Sequence, residues 1–208
     1  MNNIKSLNSS NIFIISAPSG AGKTTLVKSL CSNWAFIKPS ISFTTRKKRP
    51  TEREGIDYYF ISEEEFKQKA EKGEFVEYQN VYGNFYGTSL ELITNDIKSG
   101  FDVLLEIDYK GMLDVKKKLS EATAIYILPP NMEILKRRLE KRGENDLNEI
   151  TERVESSKTE LQFSKSADYT IINEDFDKAV KQLKRIIISK KLSSVLLSEW
   201  ADSIPNAQ

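Results

Sequence analysis

A segment of small residues early in the chain has the composition of a phosphate-binding loop. It follows the apolar run 11–16 and precedes apolar residues at helical spacing. Small side chains let successive backbone N–H groups converge on one anion, and the N-terminus of the following helix adds positive potential. Lys23 can then bridge the outer phosphates of a nucleoside triphosphate, and the Thr24 hydroxyl is placed to coordinate Mg²⁺. The predicted loop comprises Ala17, Pro18, Ser19, Gly20, Ala21, Gly22, Lys23, Thr24 and Thr25.

The loop departs from the usual phosphate-binding pattern at one position. The pattern G-x-x-x-x-G-K-S/T opens with glycine, whereas this chain has Ala17 there. The alternative is an ordinary turn between a strand and a helix, with an exposed lysine. The apolar run before the loop favours the nucleotide site, and so do Leu26 and Leu30, which lie at helical spacing after it.

Composition limits both the fold and the chemistry. The 208 residues are 39% hydrophobic, which suffices for one domain with inserted lobes or for two small domains. The 31 basic and 30 acidic side chains give a net charge of +1, which argues against a protein that coats nucleic acid. Histidine is absent and Cys31 is the only cysteine, which excludes histidine-based zinc sites, Ser-His-Asp triads and an internal disulfide. The start of the chain lacks a signal-peptide pattern and no run could span a membrane, so a cytoplasmic location is expected.

Apolar runs alternate with helical patterns, which predicts a parallel α/β sheet flanked by helices, with ligands at the carboxyl ends of its strands. Predicted strands span 41–45, 58–61, 101–108, 124–128 and 169–172, and a hairpin spans 75–87. The first predicted helix ends near Asn33 and Trp34, and the next two span 63–72 and 89–99. A fourth runs to 119, and a further helical region spans 131–166 with an interruption at Gly143. Asp146 and Glu149 have capping-box spacing within that last region. A final helix carries Phe176, Val180, Leu183 and Ile187 on one face.

A basic loop after the first helix could hold a phosphate monoester. Arg46 and Arg49 lie three residues apart, and Tyr58 and Tyr86 follow in later segments. Two guanidinium groups and two phenolic hydroxyls would bind such a phosphate well. A solvated basic loop, a nuclear-localisation-like tetrapeptide and an RNA contact are equally compatible with this segment alone.

Five segments, in order and at family-like spacing, resemble the guanylate kinases, the nucleoside-monophosphate kinases that make GDP from GMP. They are 16–24, 44–46, 83–88, 106–111 and 127–130, and the similarity extends from about 11 to 191. The resemblance implies a parallel sheet of the P-loop NTPase type, flanked by helices, with an inserted GMP-binding lobe and a helical lid. It places the nucleotide-binding core at 1–40, 92–133 and 164–208, the lobe at 41–91 and the lid at 134–163.

The resemblance also assigns residues to each substrate. It implies that the phosphate of GMP binds Arg46, Arg49, Tyr58 and Tyr86, and that the base binds Ser42, Glu77, Thr88 and Asp108. On the ATP side, Asn173 matches the adenine position, and the arginines of the lid align with Arg138, Arg142 and Arg153. Without the resemblance, a surface glutamate at Glu77 and an ordinary charged surface helix around Arg138 would be favoured.

The chemistry of guanine agrees with the implied pocket. Its N1–H and 2-amino groups are donors and match the carboxylates of Glu77 and Asp108, while O6 is an acceptor and matches a hydroxyl of Ser42 or Thr88. Adenine has an unprotonated N1, which would leave a buried carboxylate without a partner. Such a pocket would discriminate strongly between the two purines.

Glu106 and Asp108 lie two apart on the predicted strand 101–108, which would place them on one face of that strand. Asp108 is the stronger functional candidate, and it could reach Mg²⁺ through a water molecule. The family more often has aspartate where this chain has Glu106, which leaves the role of Glu106 open. A solvated strand end is the alternative for the pair.

The implied reaction is in-line transfer of the γ-phosphoryl group of MgATP to GMP, with dGMP as a further acceptor. The implied catalytic residues are Lys23, Arg46, Arg138, Arg142 and Arg153, assisted by Mg²⁺. No strong general base is needed because the phosphate of GMP is already ionised. ATP and GMP are the expected partners, without nucleic acid or membrane, and the chain is expected to be a monomer or a homodimer.

Two alternatives stay open from the sequence. A related kinase could phosphorylate another small phosphate ester, but it should lack the guanine pocket. A non-catalytic guanylate-kinase-like module could bind phosphorylated proteins, but such modules lose the nucleotide loop that is intact here at Gly22, Lys23 and Thr24.

Overall fold

The central sheet is parallel and buried. The computed structural model describes residues 11–32, 34–81, 83–141 and 147–192. From one edge to the other, the strands are β2 (Ile37–Pro39), β7 (Asp102–Glu106), β1 (Ile12–Ser16), β8 (Thr123–Leu128) and β9 (Tyr169–Ile172). The three inner strands are almost continuously buried, as expected of a parallel sheet that is covered on both faces. The predicted parallel α/β fold is confirmed.

Helices cover both faces of this sheet and form two separate buried clusters. Helices α1 (Lys23–Ser32) and α7 (Phe176–Lys191) contribute to one cluster, and α3 (Leu90–Lys98) and α4 (Tyr109–Lys118) contribute to the other. Leu26 and Leu30 are fully buried in the first cluster, as their helical spacing predicts. The sheet is therefore a rigid base for the loops at the carboxyl ends of its strands.

A smaller sheet forms the lobe between β2 and α3. In spatial order its strands are β4 (Tyr59–Phe60), β3 (Phe43–Thr44), β6 (Asn84–Ser89) and β5 (Phe75–Val81), and β5 and β6 pair as the predicted hairpin. Helix α2 (Glu63–Glu71) packs on it and begins at Ser62, whose hydroxyl accepts a hydrogen bond from the Glu65 N–H. The Phe66 ring stacks on Phe75 and on Phe85, with ring centroids 4.6 and 5.4 Å apart, which gives the lobe an aromatic core of its own.

Two helices follow β8 along the chain. They are α5 (Met132–Lys141) and α6 (Leu147–Glu160), and a 3₁₀ helix (Leu161–Ser166) continues α6. Leu135, Leu139 and Ile150 form a small buried cluster between them. Gly143, the site of the predicted interruption, and Asp146, the first residue of the predicted capping box, lie outside the part that the structure describes. None of the described helices is long and apolar enough to cross a membrane.

Three details differ from the sequence-based prediction. Strand β2 (Ile37–Pro39) was not predicted, because three residues that end in proline give no alternating pattern. Phe176 does not share the buried face of Val180 in α7, since 38% of its surface is exposed. Asp108 does not continue the strand of Glu106: β7 ends at Glu106, and Asp108 is the N-cap of α4.

Candidate active site

The phosphate-binding loop connects β1 to α1 and turns on two glycines. Gly20 and Gly22 have φ angles of 86° and 93°, which favour glycine strongly. A Cβ atom at Gly22 would lie 2.4 Å from Nδ2 of Asn173, so a side chain cannot fit there. Ala17, the departure from the usual pattern, is 7% exposed and packs in the core below the loop, where a small apolar residue is suitable.

Two residues outside the loop hold its backbone in place. The carbonyl of Ala21 accepts hydrogen bonds from Asn173 Nδ2 at 2.7 Å and from Arg138 Nη1 at 3.3 Å. Arg138 also donates to the carbonyl of Asn173 at 2.9 Å. From α6, Ser157 Oγ lies 3.5 Å from the carbonyl of Ser19. The predicted site residues Arg138 and Asn173 therefore lie directly beside the loop.

The reactive side chains of the loop face the carboxyl end of β7. Lys23 Nζ donates to the carbonyl of Ile107 at 2.9 Å. The Thr24 hydroxyl donates to Oε1 of Glu106 in a short hydrogen bond. The carboxylate beside Thr24 is therefore that of Glu106, whereas Asp108 Oδ1 accepts a hydrogen bond from the Gly111 N–H at 2.8 Å.

A cavity of about 350 Å³ opens on the outer side of the loop. Its walls combine the loop, α5, the end of β9 and the start of α7. The lining residues are Gly20, Gly22, Thr25, Arg138, Lys141, Asn173, Glu174 and Phe176. The exposed ring of Phe176 gives this cavity a flat apolar surface, and Arg138 and Lys141 give it positive charge, which together suit a nucleotide base and its phosphates.

The basic loop of the lobe is organised around an internal ion pair. Both terminal nitrogens of Arg46 donate to Glu52, at 3.0 and 2.6 Å, and the backbone N–H of Arg49 donates to the same carboxylate at 2.9 Å. The hydrogen bond from Arg46 lowers the pKa of Glu52, and the same bond raises the pKa of Arg46. Arg46 is therefore held in one orientation, while Arg49 is an exposed residue.

The two predicted tyrosines lie next to Arg46. The Arg46 guanidinium lies 5.4 Å from the centroid of the Tyr58 ring, and the Tyr58 and Tyr86 rings meet edge to face at 5.9 Å. Burial, followed by the negative charge of Glu106, raises the pKa of Tyr58 to about 12. Glu106 therefore accepts a hydrogen bond from Thr24 of the phosphate-binding loop, and its charge also acts on Tyr58 beside Arg46.

A buried carboxylate lies between the lobe and α4. Glu77 is 5% exposed and accepts a hydrogen bond from the Thr88 hydroxyl on the neighbouring strand. Burial raises its pKa to about 7, against the Thr88 hydrogen bond, and repulsion from Asp108 adds to the rise. The hydroxyls of Ser42 and Thr88 are both predicted to face guanine O6. The Thr88 hydroxyl donates to Glu77, and Ser42 is a half-buried residue before β3.

The structure describes one of the two remaining predicted arginines. Arg153 is half-buried on α6, and its carbonyl accepts a hydrogen bond from the Ser157 hydroxyl at 2.7 Å. Arg142 lies outside the described residues. The predicted role of Arg142 among the arginines of the lid therefore stays a prediction.

Comparison with known proteins identifies the family. The sequence profile described as guanylate kinase matches residues 9–190. The chain belongs to the guanylate kinase family. It is 44% identical over 181 residues to the guanylate kinase of Hahella chejuensis, with 87% of each chain covered. It is also 44% identical over 186 residues to that of Coxiella burnetii, covering 89% of this chain and 90% of that protein.

A solved structure supports the same membership. The crystal structure of guanylate kinase from Anaplasma phagocytophilum superimposes with a TM-score of 0.75 at 29% identity, and the match covers 92% of this chain and 95% of that chain. The alternatives of another phosphate-ester kinase and of a non-catalytic module are not favoured by these similarities.

Sequence-based reasoning missed several residues of this site. Glu52 pairs with Arg46 across an irregular loop, where no periodicity indicates contact. Phe176 was assigned to the core, although it lines the nucleotide cavity. Glu160, at the end of α6, has its pKa raised by burial, and its charge interacts with Asp108 and Lys23. The presence of acidic residues inside the basic loop was the one sequence feature that could have indicated the pairing of Glu52 with Arg46.

Proposed function

We propose that the chain transfers the γ-phosphoryl group of MgATP to GMP, giving ADP and GDP, as part of purine nucleotide metabolism. The observation that carries this proposal is that Glu106 interacts with both anion sites. The Thr24 hydroxyl of the phosphate-binding loop donates to Glu106, and the charge of Glu106 acts on Tyr58, which lies beside Arg46. A phosphoryl donor and a phosphate acceptor held in these two sites would be neighbours, as in-line transfer requires.

On the donor side, backbone N–H groups of the loop and Lys23 would hold the phosphates of ATP. Mg²⁺ fits beside them because the Thr24 hydroxyl and the Glu106 carboxylate supply the hard oxygen donors that it prefers. When bound, Mg²⁺ neutralises charge on the phosphate oxygens. Asp108 stays a proposed partner through water, although its Oδ1 accepts the Gly111 hydrogen bond.

On the acceptor side, Arg46, Arg49, Tyr58 and Tyr86 would bind the phosphate of GMP. The Arg46 guanidinium carries five N–H donors, and its two terminal nitrogens share their hydrogen bonds between Glu52 and the Lys47 carbonyl. One N–H of Nη2 and the Nε–H group take no part in these three bonds, and they are the donors we assign to phosphate. The pairing with Glu52 holds the guanidinium in place before the substrate binds.

The base of GMP would be recognised through hydrogen bonds by Glu77, Asp108, Ser42 and Thr88. Ionised Glu77 accepts from the N1–H and 2-amino side of guanine, and Thr88 orients Glu77 by donating to it. Ser42 is then the hydroxyl we assign to O6. Adenine would present a lone pair to Glu77, which costs binding energy in a buried site.

Catalysis rests on charge neutralisation and positioning by Lys23, Arg46, Arg138, Arg142 and Arg153. Because the phosphate of GMP is ionised near neutral pH, no side chain has to remove a proton from it. Closure of the lobe (41–91) and the lid (134–163) over the core would exclude water and suppress hydrolysis of ATP. We also propose dGMP as a second acceptor, a cytoplasmic location, and a monomer or homodimer as the working unit.

The test is ADP release from MgATP with GMP, AMP, CMP and UMP offered separately to the purified chain. Turnover with GMP alone supports both the phosphoryl transfer and the carboxylate recognition of guanine. If no monophosphate is phosphorylated although ATP binds, the assignment of the acceptor site is wrong. A parallel titration with Mg²⁺, in which ATP protection of the chain from proteolysis is followed, tests the metal assignment independently of turnover.

A further inference from the structure

Strand β5 is irregular at the point where it presents Glu77. Its pairing with β6 joins Phe75 to Ser89 and then Glu77 to Thr88, so two residues on β5 are matched by one on β6. Val76 is the extra residue of this bulge. A β-bulge bends its strand and redirects the next side chain, and it needs support because its ladder is interrupted. The orientation of Glu77 therefore depends on what holds Val76.

Helix α4 provides that support from the other side of the site. Lys118, in its last turn, donates from Nζ to the carbonyl of Val76 at 2.6 Å. The Val76 side chain is 3% exposed and belongs to the same buried cluster as Met112 and Val115 of α4. The bulged residue is thus held by α4 through both its carbonyl and its side chain.

The first turn of α4 makes room for the carboxylate itself. A Cβ atom at Gly111 would lie 2.7 Å from Oε2 of Glu77 and 3.2 Å from its Cδ. Glu77 therefore occupies the space that a side chain at Gly111 would take. A second contact between β5 and α4 lies further along the strand, where Gln79 Nε2 donates a hydrogen bond to Oδ2 of Asp114 at 2.8 Å.

We propose that Lys118 is a positioning residue for base recognition: with Gly111, it holds the Val76 bulge so that the Glu77 carboxylate faces the acceptor base. This inference rests on the proposed function, since Glu77 matters to catalysis only if guanine binds there. Helix α4 then determines how well the site distinguishes guanine from other bases, although Lys118 itself does not touch the substrate.

The electrostatics of the cluster agree with this role. The groups that act on Glu77 are the Thr88 hydroxyl on β6, Asp108 at the cap of α4, and Asp114 and Lys118 within α4. Lys118 is the cation among them and favours the ionised carboxylate that guanine requires. Removing its charge should leave Glu77 beside two acids, which favours the protonated carboxyl.

The experiment compares Lys118→Met with Lys117→Met. The control removes a lysine from the same turn, where the Lys117 side chain is 77% exposed and forms an ion pair with Asp114 at 3.7 Å. We expect Lys118→Met to raise KM for GMP about tenfold, which is the usual effect of losing one charge-assisted hydrogen bond. KM for MgATP and kcat should stay unchanged, and Lys118→Arg should restore most of the GMP affinity.

The pH profile separates positioning from a purely structural role. In Lys118→Met, the rise of KM for GMP at low pH should begin at a higher pH than in the wild type, because the carboxylate has lost its cation. Lys117→Met should keep the wild-type profile. An unchanged KM and profile in Lys118→Met, equal to those of Lys117→Met, would overturn the proposal.

Gly111→Ala is a second and independent variant. It improves helix propensity and pushes on the end of a flexible side chain, so the protein should fold. We expect KM for GMP to rise and KM for MgATP to stay unchanged, and a wild-type KM for GMP would overturn the positioning by α4. Failure of the wild-type chain to phosphorylate GMP would instead overturn the proposed function together with this inference.

Discussion

The two proposed anion sites of this molecule are built in opposite ways. The proposed donor site is built mainly on one continuous loop of nine residues, Ala17 to Thr25, whose binding groups would be mainly backbone N–H groups. The acceptor site combines side chains from the basic loop, β5, β6 and the cap of α4. Backbone donors are positioned by the turn itself, whereas charged side chains must be held by partners. This difference explains the ion pair between Arg46 and Glu52 in the acceptor site.

Those partners have the opposite charge to the groups that they hold. Glu52 neutralises Arg46, and Lys118 acts on the carboxylate of Glu77. In the donor site, by contrast, Asn173 and Arg138 hold a carbonyl of the loop. Substitutions should therefore affect the two substrates separately, and four predictions test this separation.

The largest effect is expected for Lys23→Ala. Removing the ammonium group beside the phosphates should lower kcat about 10²–10³-fold, as is typical for one electrostatic group that stabilises a transition state. The fold should be intact, which circular dichroism can check. Lys28→Ala, on the exposed face of the same helix, is the matched control. Near-normal turnover of Lys23→Ala would contradict the proposed role of the loop in catalysis.

Arg46→Met should have the next largest effect, and this effect should fall on the acceptor site. It removes the phosphate contact and leaves Glu52 half-buried without its guanidinium, so KM for GMP should rise about a hundredfold. KM for MgATP should not change. Arg53→Met in the same loop is the control, because its side chain is 70% exposed. Equal changes in both KM values would contradict the separation of the two sites.

The pH dependence of GMP affinity should be smaller and should come from Glu77. Its pKa is raised to about 7, so the carboxylate is mostly ionised above that pH and mostly protonated below it. Only the ionised form accepts hydrogen bonds from guanine. KM for GMP should therefore rise about tenfold between pH 8 and pH 6. KM for MgATP over the same range is the internal reference, and a parallel rise in both would exclude Glu77 as the cause.

The smallest effect is expected for Asn173→Ala. It removes a buried hydrogen bond to the Ala21 carbonyl, which keeps its bond to Arg138. The cost should be about 1–2 kcal/mol, seen as a modest rise in KM for MgATP and a lower melting temperature. Asn95→Ala, an exposed asparagine on α3, is the control. A selective loss of GMP affinity in Asn173→Ala would be inconsistent with its position beside the donor loop.

The sequence was informative wherever local spacing determines structure. The loop, helix α1, the hairpin of β5 and β6, and strand β9 were all predicted within a few residues, because turn residues and periodicity are local signals. The short edge strand β2 was missed because it carries no such local signal. It is defined by its pairing with β7, which lies far away in the sequence.

The acceptor site was harder to predict because its contacts are not local. Arg46 was expected to face phosphate, but its pairing with Glu52 depends on an irregular loop. Glu77 would be assigned to the surface by its strand pattern, whereas in the structure it is buried and packs against Gly111 of α4. The resemblance to guanylate kinases indicated these residues, whereas periodicity alone could not.

The most direct test is calorimetric titration of GMP, and separately of MgATP, into Glu77→Gln and the wild type. The substitution keeps the size of the side chain and removes the charge that guanine requires. We expect binding of GMP to weaken at least about tenfold, while binding of MgATP stays the same. Unchanged GMP binding, or an equal loss for both nucleotides, would contradict a separate acceptor site that recognises guanine through Glu77.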